Sequence, residues 1–567
     1  MNLIAITMIG YLLFQADTLK APMLWWPEAA NGVCANGVHT SYQRGVGLLD
    51  SASVQIRWET ELPPSVRNAY NAYGGAVYDV DLDGRPEVVC AYPDSFGVRL
   101  FILDGPTGTI KYTRLFPQED HDENICCCPS IGDVDLDGHP DIVLRFSCVS
   151  YVDSSEVVCM DGVTKEIKWV RKLLYSTGGW PDMGAPTIMN VNWDPYPEII
   201  VTARIDGADF ATFCLSGKDG SILWRRDSVR AVLHTCWDVN EDGIVEVLGV
   251  HLPDAHPIAL SGLDGSTVWL NTTPTLGGSI YGMNVADADA DGDWEIIGRG
   301  NYGNLSHPAL YWLDGKTGSL QNVYLPNKRC YFHALPLPST TQMDGDSALE
   351  SIAFFPRITA SVCVDGAGRV EWQYPEPPIM DSGHHASAAD IDNDGETEFI
   401  ISSVKKFVPV THQKLVCING SGKVEWEKDF VNYALFRQPL IADVDGDGYL
   451  EIIFTPEKPA FHLYPPGTYF RVICIDNEPA LPAKEEKALR PPSMLALPGR
   501  IVLSLLDPCP VELYLYDMTG RKVQELYKGP LPAGTHEFEL RGLEPGVYLA
   551  ELRYDGRITA KAVVIRR

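Results

Sequence analysis

Acidic residues recur at alternate positions of one short, glycine-containing stretch of the chain. From Asp79 to Glu87 the first, third, fifth and ninth residues are acids, the sixth is Gly84, and an apolar segment follows. Calcium takes six to eight oxygen ligands, and alternate side chains of a tight turn can converge on one ion. Gly84 permits the bend, because glycine adopts a positive φ at no steric cost. The stretch is therefore predicted to be a short calcium loop that leads into a strand.

The same spacing returns about every 50 residues, and self-similarity at such a period indicates a repeat architecture. Readable copies begin at Asp79, Asp133, Asn190, Asp238, Asp287, Asp390 and Asp443. The third copy has Pro195 in place of the glycine and two asparagines among its ligand positions, so weaker binding is expected there. A further, sixth copy near Asp344, Asp346 and Glu350 is expected to have lost the spacing and to bind little or no metal.

The charge of the chain fits this interpretation. The 567 residues include 45 lysines and arginines against 75 aspartates and glutamates, which gives a formal charge of −30. Such a balance argues against nucleic acid as a partner, since nucleic-acid binding requires a basic face. Many of the acids fall at loop positions, so they are interpreted as metal sites rather than as a disordered acidic tail.

The segments between the acidic loops predict antiparallel strands. Each loop is followed by a β-rich run, by an apolar strand that ends in an Asp-Gly or Asn-Gly turn, and by a strand of the form Gly-x-x-x-Trp. Alternating strands and such turns are typical of antiparallel meanders. Four-stranded units that repeat four to eight times describe a β-propeller. The fold class is therefore predicted to be all-β.

The number of blades follows from the aromatic residues that close each unit. The closing positions are Trp58, Tyr112, Trp169, Trp224, Trp269, Asn322, Trp372 and Trp426. This count predicts an eight-bladed β-propeller, with a seven-bladed ring as the alternative. The segment Ser53–Trp58 precedes every loop, whereas the last loop lacks a closing strand. We therefore expect residues 53–58 to supply the outer strand of the final blade, which removes the open edges.

The chain divides into five predicted regions. Residues 1–16 have the apolar run of a secretory signal peptide, and residues 17–49 form a lead-in. The propeller is assigned to residues 50–476, a proline-rich linker to 477–500, and a small immunoglobulin-like β-sandwich to 501–567. No segment is predicted to span a membrane, and a monomer is expected.

Fourteen cysteines are present, and five of them occupy one equivalent place in five repeats. These five are Cys159, Cys214, Cys363, Cys417 and Cys474. They are predicted to be small buried hydrophobic residues, because separate blades hold them too far apart to form disulfides. The run Cys126-Cys127-Cys128 lies before the second loop, and for it a metal site or a disulfide between adjacent cysteines stays open.

The repeated loops resemble the FG-GAP and VCBS repeats of calcium-binding propellers, the family that includes the head of integrin α subunits. The resemblance covers residues 50–476. It implies that the first, third, fifth and ninth loop positions supply side-chain oxygens to calcium and the seventh a carbonyl. The implied metal ligands are Asp79, Asp81, Asp83, Glu87, Asp133, Asp135, Asp137, Asp141, Asn190, Asn192, Asp194, Glu198, Asp238, Asn240, Asp242, Glu246, Asp287, Asp289, Asp291, Glu295, Asp390, Asp392, Asp394, Glu398, Asp443, Asp445, Asp447 and Glu451.

The C-terminal region resembles a type IX secretion sorting domain. The residues that carry this resemblance include the segments 513–517, 519–521, 533–536, 545–548 and 563–565, although Leu497-Pro498-Gly499 stands where the family has Tyr-Pro-Asn-Pro. The resemblance implies an export machinery as partner and a secreted or cell-surface location. A module with only a structural or binding role is the alternative.

Ligand sites of propellers usually lie at the central channel, near the start of the inner strands. Candidate residues at the channel mouth are His384, His385 and Arg437. We find no nucleophile elbow, zinc-binding helix motif or phosphate loop in the sequence. The carboxylate pairs are explained by calcium spacing and are poor indicators of a glycosidase.

Two functional hypotheses remain. The favoured one is a non-enzymatic, calcium-binding surface propeller that binds a glycan or a protein. The alternative is a polysaccharide lyase, because the rhamnogalacturonan lyases have an eight-bladed calcium propeller. The strands that begin Asp-Gly-x-Thr-Gly are also similar to those of quinone-dependent dehydrogenases, but calcium loops in nearly every blade are not typical of that family.

Overall fold

A computed structural model describes the strands and most of the loops that join them. The described residues are 42–46, 49, 54–63, 75–94, 97–117, 124–126, 128–148, 154–174, 185–192, 194–205, 209–230, 235–252, 255–273, 282–302, 307–326, 338–343, 348–355, 360–375, 386–406, 412–436, 439–457, 469–476, 493–497, 500–505, 509–517, 522–532, 534–543, 546–554 and 557–565. Their regular structure is entirely β. Among them we find no helix with the length and apolar character needed to cross a membrane.

The described residues up to 476 form sheets of consecutive antiparallel strands, which we number in the chain order of their acidic loops. The first sheet contains Gly75–Tyr78, Glu87–Asp94, Gly97–Asp104 and Ile110–Pro117. The second contains Asn124–Cys126, Ser130–Gly132, Asp141–Cys148, Ser154–Asp161 and Ile167–Leu174. The third contains Thr187–Met189, Glu198–Ile205, Asp209–Ser216 and Ile222–Asp227. The fourth contains Val229–Arg230, Cys236–Trp237, Glu246–His251, His256–Ser261 and Thr267–Leu270.

Four more sheets complete this part of the chain. The fifth contains Gly282–Ala286, Glu295–Tyr302, His307–Asp314 and Leu320–Tyr324. The sixth contains Ser339–Thr341, Glu350–Phe355, Ala360–Val364 and Val370–Pro375. The seventh contains Ala386–Asp390, Glu398–Lys406, His412–Ile418 and Val424–Val431. The eighth contains Leu440–Ala442, Glu451–Phe454, Arg471–Asp476 and Gln55–Glu61, and a separate two-stranded ribbon pairs Leu435–Phe436 with Pro456–Glu457.

In each of these sheets one strand directly follows the acidic loop, and it is rich in apolar residues. Strand Glu350–Phe355, for example, is buried at every position. β-branched and aromatic residues favour such strands, because they pack well on a pleated surface. The loop is therefore held on one side by the buried strand that follows it.

Tryptophans join successive sheets. The indole Nε1 of a closing tryptophan donates a hydrogen bond to the carbonyl of the turn glycine in the next sheet, in the pairs Trp58–Gly105 (2.8 Å), Trp169–Gly217 (2.8 Å), Trp224–Gly262 (2.7 Å), Trp269–Gly315 (2.8 Å) and Trp372–Gly420 (2.9 Å). A second glycine of the turn lies under the ring. Gly108 has φ +68°, and a Cβ there would lie 2.3 Å from Cε3 of Trp58. The tryptophans are thus seam residues, as their recurrence once per repeat predicts.

The eighth sheet is built from two distant parts of the chain. Strand Gln55–Glu61 pairs antiparallel with Arg471–Asp476, with Trp58 opposite Cys474. The ring of Trp58 then contacts Gly105 and Gly108 of the first sheet. Contacts therefore run from the last sheet back to the first.

The lead-in takes part in this architecture more than the sequence predicts. Strand Tyr42–Val46 pairs in parallel with Ala386–Asp390, the first strand of the seventh sheet. The Leu49 carbonyl accepts a hydrogen bond of 3.0 Å from Nε1 of Trp426, and its amide donates to the carbonyl of Ile391. Leu49 thus replaces the turn glycine of the other seams, and the propeller contacts begin at residue 42 rather than 50. Because strand Tyr42–Val46 is not accompanied by an acidic loop, the repeat pattern does not predict it.

The second unit is formed by the described residues from 493 to 565. One sheet contains Ser493–Leu497, Arg500–Leu505 and Gly534–Glu539, and the other contains Lys522–Leu531, Cys509–Asp517, Gly546–Tyr554 and Arg557–Ile565. Side chains such as Leu503, Leu513 and Leu552 form its core. Strand Ser493–Leu497 lies inside the predicted linker 477–500, so that prediction is wrong at its C-terminal end. Prolines around a short apolar run concealed the strand.

Candidate metal loops

The first aspartate of each loop orders the loop backbone. In the first sheet, the Asp79 carboxylate accepts hydrogen bonds from the amides of Asp83 (3.0 Å) and Gly84 (2.9 Å). Asp133 and Asp238 accept the equivalent pairs in the second and fourth sheets. The bend is made by left-handed residues at the fourth and sixth positions, Leu82 with φ 58° and Gly84 with φ 90°. The carboxylates at alternate positions are thereby turned toward one point.

The ninth residue of each loop is a buried carboxylate. Glu87, Asp141, Glu198, Glu246, Glu295, Glu398 and Glu451 are at most 1% exposed. One oxygen of each accepts a hydrogen bond from the amide of the second loop residue, for example Ile391 to Glu398 (2.9 Å) and Val444 to Glu451 (2.7 Å). This contact closes the loop onto the strand that follows.

The second oxygen of several of these carboxylates has no hydrogen-bond partner among the described residues. This is so for Oε1 of Glu198, Glu295, Glu398 and Glu451. A buried anionic oxygen without a partner is costly. The loops also bring together Asp287, Asp289 and Asp291, and likewise Asp390, Asp392 and Glu398, with ligand oxygens within 4.8 Å of one another. Donor sets made only of oxygen suit a hard cation such as calcium.

Burial changes the acidity of the ninth residue. Desolvation, with smaller contributions from the carboxylates of Asp392 and Glu425, raises the pKa of Glu398 to about 9. Desolvation likewise raises the pKa of Glu451 to about 9 and that of Glu295 to about 8. Without a cation these groups hold a proton at neutral pH. A divalent cation would favour their charged form, since an opposite charge nearby lowers the pKa of an acid.

The first two loops already contain a positive charge. The ammonium of Lys111 lies 2.6 Å from Oδ2 of Asp81, 3.0 Å from Oδ2 of Asp83 and 2.8 Å from Oε1 of Glu87. In the second loop, Lys168 lies within 2.9 Å of Asp135, Asp137 and Asp141. Sequence reasoning missed both lysines. The available signal was a lysine directly before the closing aromatic residue of two successive repeats.

Amides replace carboxylates in the third and fourth loops. Nδ2 of Asn190 donates to the Asp194 carbonyl (2.6 Å), and Nδ2 of Asn192 lies 3.2 Å from Oδ2 of Asp194. In the fourth loop, Nδ2 of Asn240 lies 3.2 Å from Oε1 of Glu246. In these two loops, neutral amides therefore contact the carboxylates of Asp194 and Glu246.

The sixth loop keeps the spacing that was predicted to be lost. The Met343 amide donates a hydrogen bond of 2.7 Å to Oε2 of Glu350, which is the contact that closes every other loop. Gln342 therefore occupies the first position and Glu350 the ninth, and counting from Gln342 puts Asp344 and Asp346 at positions three and five. The prediction failed because the search required an acid at the first position. Asp344 and Asp346 lie outside the described residues.

The eighth loop has a cationic neighbour as well. Nη1 of Arg57 lies 2.6 Å from Oδ2 of Asp445 and also contacts Asp476. Asp443 of the same loop accepts hydrogen bonds from the amides of Gly446 and Gly448. Asp447 accepts one from the amide of Tyr449, and desolvation raises the pKa of Asp447 to about 6. The first and eighth loops thus share the contact between the first aspartate and the amide of the sixth residue.

The predicted channel-mouth residues His384, His385 and Arg437 lie outside the described residues. So do Cys127 and the predicted signal peptide. The five equivalent cysteines are fully buried, and each pairs across the sheet with a closing tryptophan, for example Cys214 with Trp224. This placement agrees with the prediction of small core residues.

Comparison with known proteins supports the repeat and the fold. Residues 79–144, which contain the first two loops, match the family described as FG-GAP-like repeat. A comparison with curated proteins gives no match.

Solved structures share the architecture at low identity. A quinohemoprotein alcohol dehydrogenase from Pseudomonas putida HK5 is 11% identical with a TM-score of 0.53, over 85% of this chain and 86% of that one. The quinohemoprotein alcohol dehydrogenase from Comamonas testosteroni is 13% identical with a TM-score of 0.51, over 85% and 84%. A structure titled as the Dos1 propeller is 8% identical with a TM-score of 0.45, over 75% and 95%. At these identities the likeness concerns the fold alone. The chain is an all-β protein that contains a β-propeller with FG-GAP-like repeats.

Proposed function

We propose that this chain is an exported, calcium-loaded propeller of eight blades that binds a glycan or a protein at the cell surface. The observation that carries the metal assignment is the buried ninth carboxylate with one unpartnered oxygen, as in Glu398 and Glu451. Such an oxygen is satisfied when a cation joins the loop. Calcium then supplies rigidity, because it fixes loops that would otherwise hold adjacent negative charges.

The blade count rests on the seams. Each closing residue from Trp169 to Trp372 contacts a glycine in the following sheet, and Trp58 of the eighth sheet contacts Gly105 and Gly108 of the first. A closed ring also leaves no long sheet edge exposed to other chains. These contacts favour eight blades over seven.

The proposal of a binding role rather than a catalytic one rests on the position of the acidic residues in the loops. The repeated carboxylates belong to the loops, so they do not indicate a catalytic pair. The proposed ligand position is the channel mouth with His384, His385 and Arg437. The C-terminal unit, with two sheets around one core, is proposed to be the immunoglobulin-like sorting domain that directs export.

The metal assignment is tested by hydrogen exchange of the full chain with calcium and in calcium-free buffer. Calcium that binds the folded state stabilises it by mass action. Protection of strands such as Glu398–Lys406 is expected to fall on calcium removal, whereas strands such as Cys509–Asp517 of the second unit keep theirs. Equal protection of the propeller strands in both buffers would contradict the assignment.

The binding role is tested on a panel of plant and microbial polysaccharides, with calcium present. Retention on a polysaccharide without new ultraviolet-absorbing unsaturated ends is the expected result, and His384→Ala, His385→Ala and Arg437→Ala should weaken it. Growth of that absorbance would instead identify a polysaccharide lyase. If neither retention nor absorbance growth is observed, a protein partner becomes the next candidate.

A further inference from the structure

One residue of every closing strand stands outside the regular pairing of its sheet. In each of the eight sheets, the register of the closing strand shifts directly before the closing residue, so that one residue is passed over in the pairing. We call this the bulge residue. In order from the first sheet to the eighth, the bulge residues are Lys111, Lys168, Leu223, Val268, Gln321, Glu371, Glu425 and Arg57. A β-bulge re-aims a side chain out of the regular alternation.

In the first two sheets the bulge residue places a positive charge at the loop. Lys168 is the clearest case, because its ammonium lies 2.9 Å from Oδ1 of Asp135, 2.8 Å from Oδ2 of Asp137 and 2.9 Å from Oδ1 of Asp141. These are the third, fifth and ninth positions of the loop. An ammonium has three donors, and here each has a carboxylate oxygen at the distance of a charge-assisted hydrogen bond. The side chain of Lys168 is only 15% exposed.

The seventh sheet shows the opposite arrangement. Its bulge residue is Glu425, which takes the position that Lys111 and Lys168 hold in the first two sheets. The buried Oε1 of Glu398 and one oxygen each of Asp390 and Asp392 have no partner among the described residues. Among the described residues, no lysine or arginine pairs with these loop carboxylates, whereas each of the first two loops has a lysine.

We infer that the bulge residue sorts the loops into two classes, and this inference rests on the proposed calcium binding. In the first two loops, Lys111 and Lys168 act as built-in cations that take the place of calcium. In the seventh loop, Glu425 adds a carboxylate that strengthens calcium binding. A calcium ion requires oxygens at 2.3–2.6 Å, so it cannot share the centre of a loop with an ammonium that contacts the same oxygens.

The test counts calcium ions bound by the full chain, by equilibrium dialysis and atomic absorption. The double variant Lys111→Gln/Lys168→Gln is expected to bind two more ions per chain than the unsubstituted protein. Lys172→Gln is the matched control, because Lys172 lies on the same strand as Lys168 but is 73% exposed and pairs with Glu156. It should leave the number of ions unchanged. An equal count in the double variant and the unsubstituted protein would overturn the inference.

A second measurement uses the unsubstituted protein and does not depend on the folding of a variant. Acetylation of lysines by acetic anhydride, read by mass spectrometry, reports whether an ammonium is accessible. Lys111 and Lys168 are expected to be protected from acetylation equally with and without calcium, whereas Lys172 is modified in both. Increased modification of Lys111 and Lys168 on calcium addition would show that calcium displaces them, which would overturn the inference.

The role of Glu425 in the seventh sheet can be tested independently of the two lysines. Glu425→Gln is expected to raise the Kd of one calcium site by about tenfold or more, since one unit charge near the ion is removed. An unchanged Kd would overturn the role of Glu425. Failure of the proposed calcium binding itself would give a different result, because the unsubstituted protein would then bind no calcium ion at any loop.

Discussion

The carbonyl oxygen of Gly105 accepts a hydrogen bond of 2.8 Å from the indole Nε1 of Trp58. The two residues belong to the first and eighth sheets, and the strand of Trp58 pairs with the last propeller strand, Arg471–Asp476. This contact is therefore where the beginning of the repeat region meets its end.

Trp58→Ala is expected to destabilise the propeller by about 3 to 5 kcal/mol, the usual range for truncation of a buried tryptophan. The loss combines the cavity left at the seam with the hydrogen bond to Gly105. Denaturant unfolding followed by fluorescence measures it. The control is Val370→Ala on an exposed part of the sixth sheet, for which a change within about 0.5 kcal/mol is expected. A loss equal to that of the control would show that the seam is not closed.

Gly108→Ala is expected to destabilise the same seam, because the new Cβ would lie 2.3 Å from the Trp58 ring and φ is +68°. A double-mutant cycle separates the two causes. In the Trp58→Ala background the ring is absent, so the cost should fall to the backbone strain of about 1 to 2 kcal/mol together with the contact to Oγ1 of Thr60 at 2.8 Å. If Gly108→Ala lowers the free energy of unfolding by the same amount in both backgrounds, the contact with the Trp58 ring does not contribute to the destabilisation.

Glu398→Gln is expected to have opposite effects with and without calcium. In calcium-free buffer the variant should be as stable as the unsubstituted protein or more so, because it removes a buried acid with an unpartnered oxygen. The increase in Tm on calcium addition should shrink. Differential scanning calorimetry measures both. Glu396→Gln is the control, since Glu396 is exposed and donates only its backbone amide to Asp394. An unchanged calcium response in Glu398→Gln would remove Glu398 from the metal site.

The calcium-free propeller is expected to lose stability as the pH rises from about 5 to 9. The pKa of Glu398 rises from its usual value of 4.5 to about 9 on folding, and that of Glu295 to about 8. The folded state therefore binds more protons than the unfolded state throughout this window, and stability falls as pH increases. Calcium should oppose the fall, because it favours the charged carboxylates. Tm values at pH 5, 7 and 9 in both buffers measure the effect. A calcium-free Tm that rises toward pH 9 would contradict it.

The buried cysteines are expected to resist thiol reagents in the folded protein. Burial raises the pKa of Cys90 to about 12, and it also raises that of Cys214 and Cys474. The thiolate is the reactive form, so a buried thiol of high pKa reacts slowly. Iodoacetamide labelling with peptide mapping should find these three residues unmodified until denaturant is added. Modification of Cys214 in the native protein would show that its sheet opens.

Much of the fold was predictable from the sequence because the repeat is strict. The acids that bind the loop backbone, such as Asp79, cannot move by one position without losing their amide donors. Gly84 and Gly108 are fixed by positive φ. The order of strands within each sheet then follows from the turns between them.

The rest depends on contacts between residues far apart in sequence. Lys111 reaches Glu87 from a different strand, after a bulge that no local pattern reveals. Gln342 was missed because an amide stands where an acid was required, although its loop closes through Glu350 like the others. Strand Tyr42–Val46 makes a parallel pairing with a partner more than 300 residues away. Such pairings carry no signature of spacing.

The shared eighth sheet also determines when the molecule can be completed during synthesis. Arg57 and its partner Asp476 are 419 residues apart. At 5–20 residues per second, the ribosome needs on the order of 20 to 80 s to make the partner of the first closing strand. Until then a nascent chain has seven sheets and an unpaired strand at its beginning. The last propeller strand, Arg471–Asp476, thus completes the eighth sheet by pairing with Gln55–Glu61. A chain truncated before this strand would leave a sheet edge open, and such an edge can pair with another molecule.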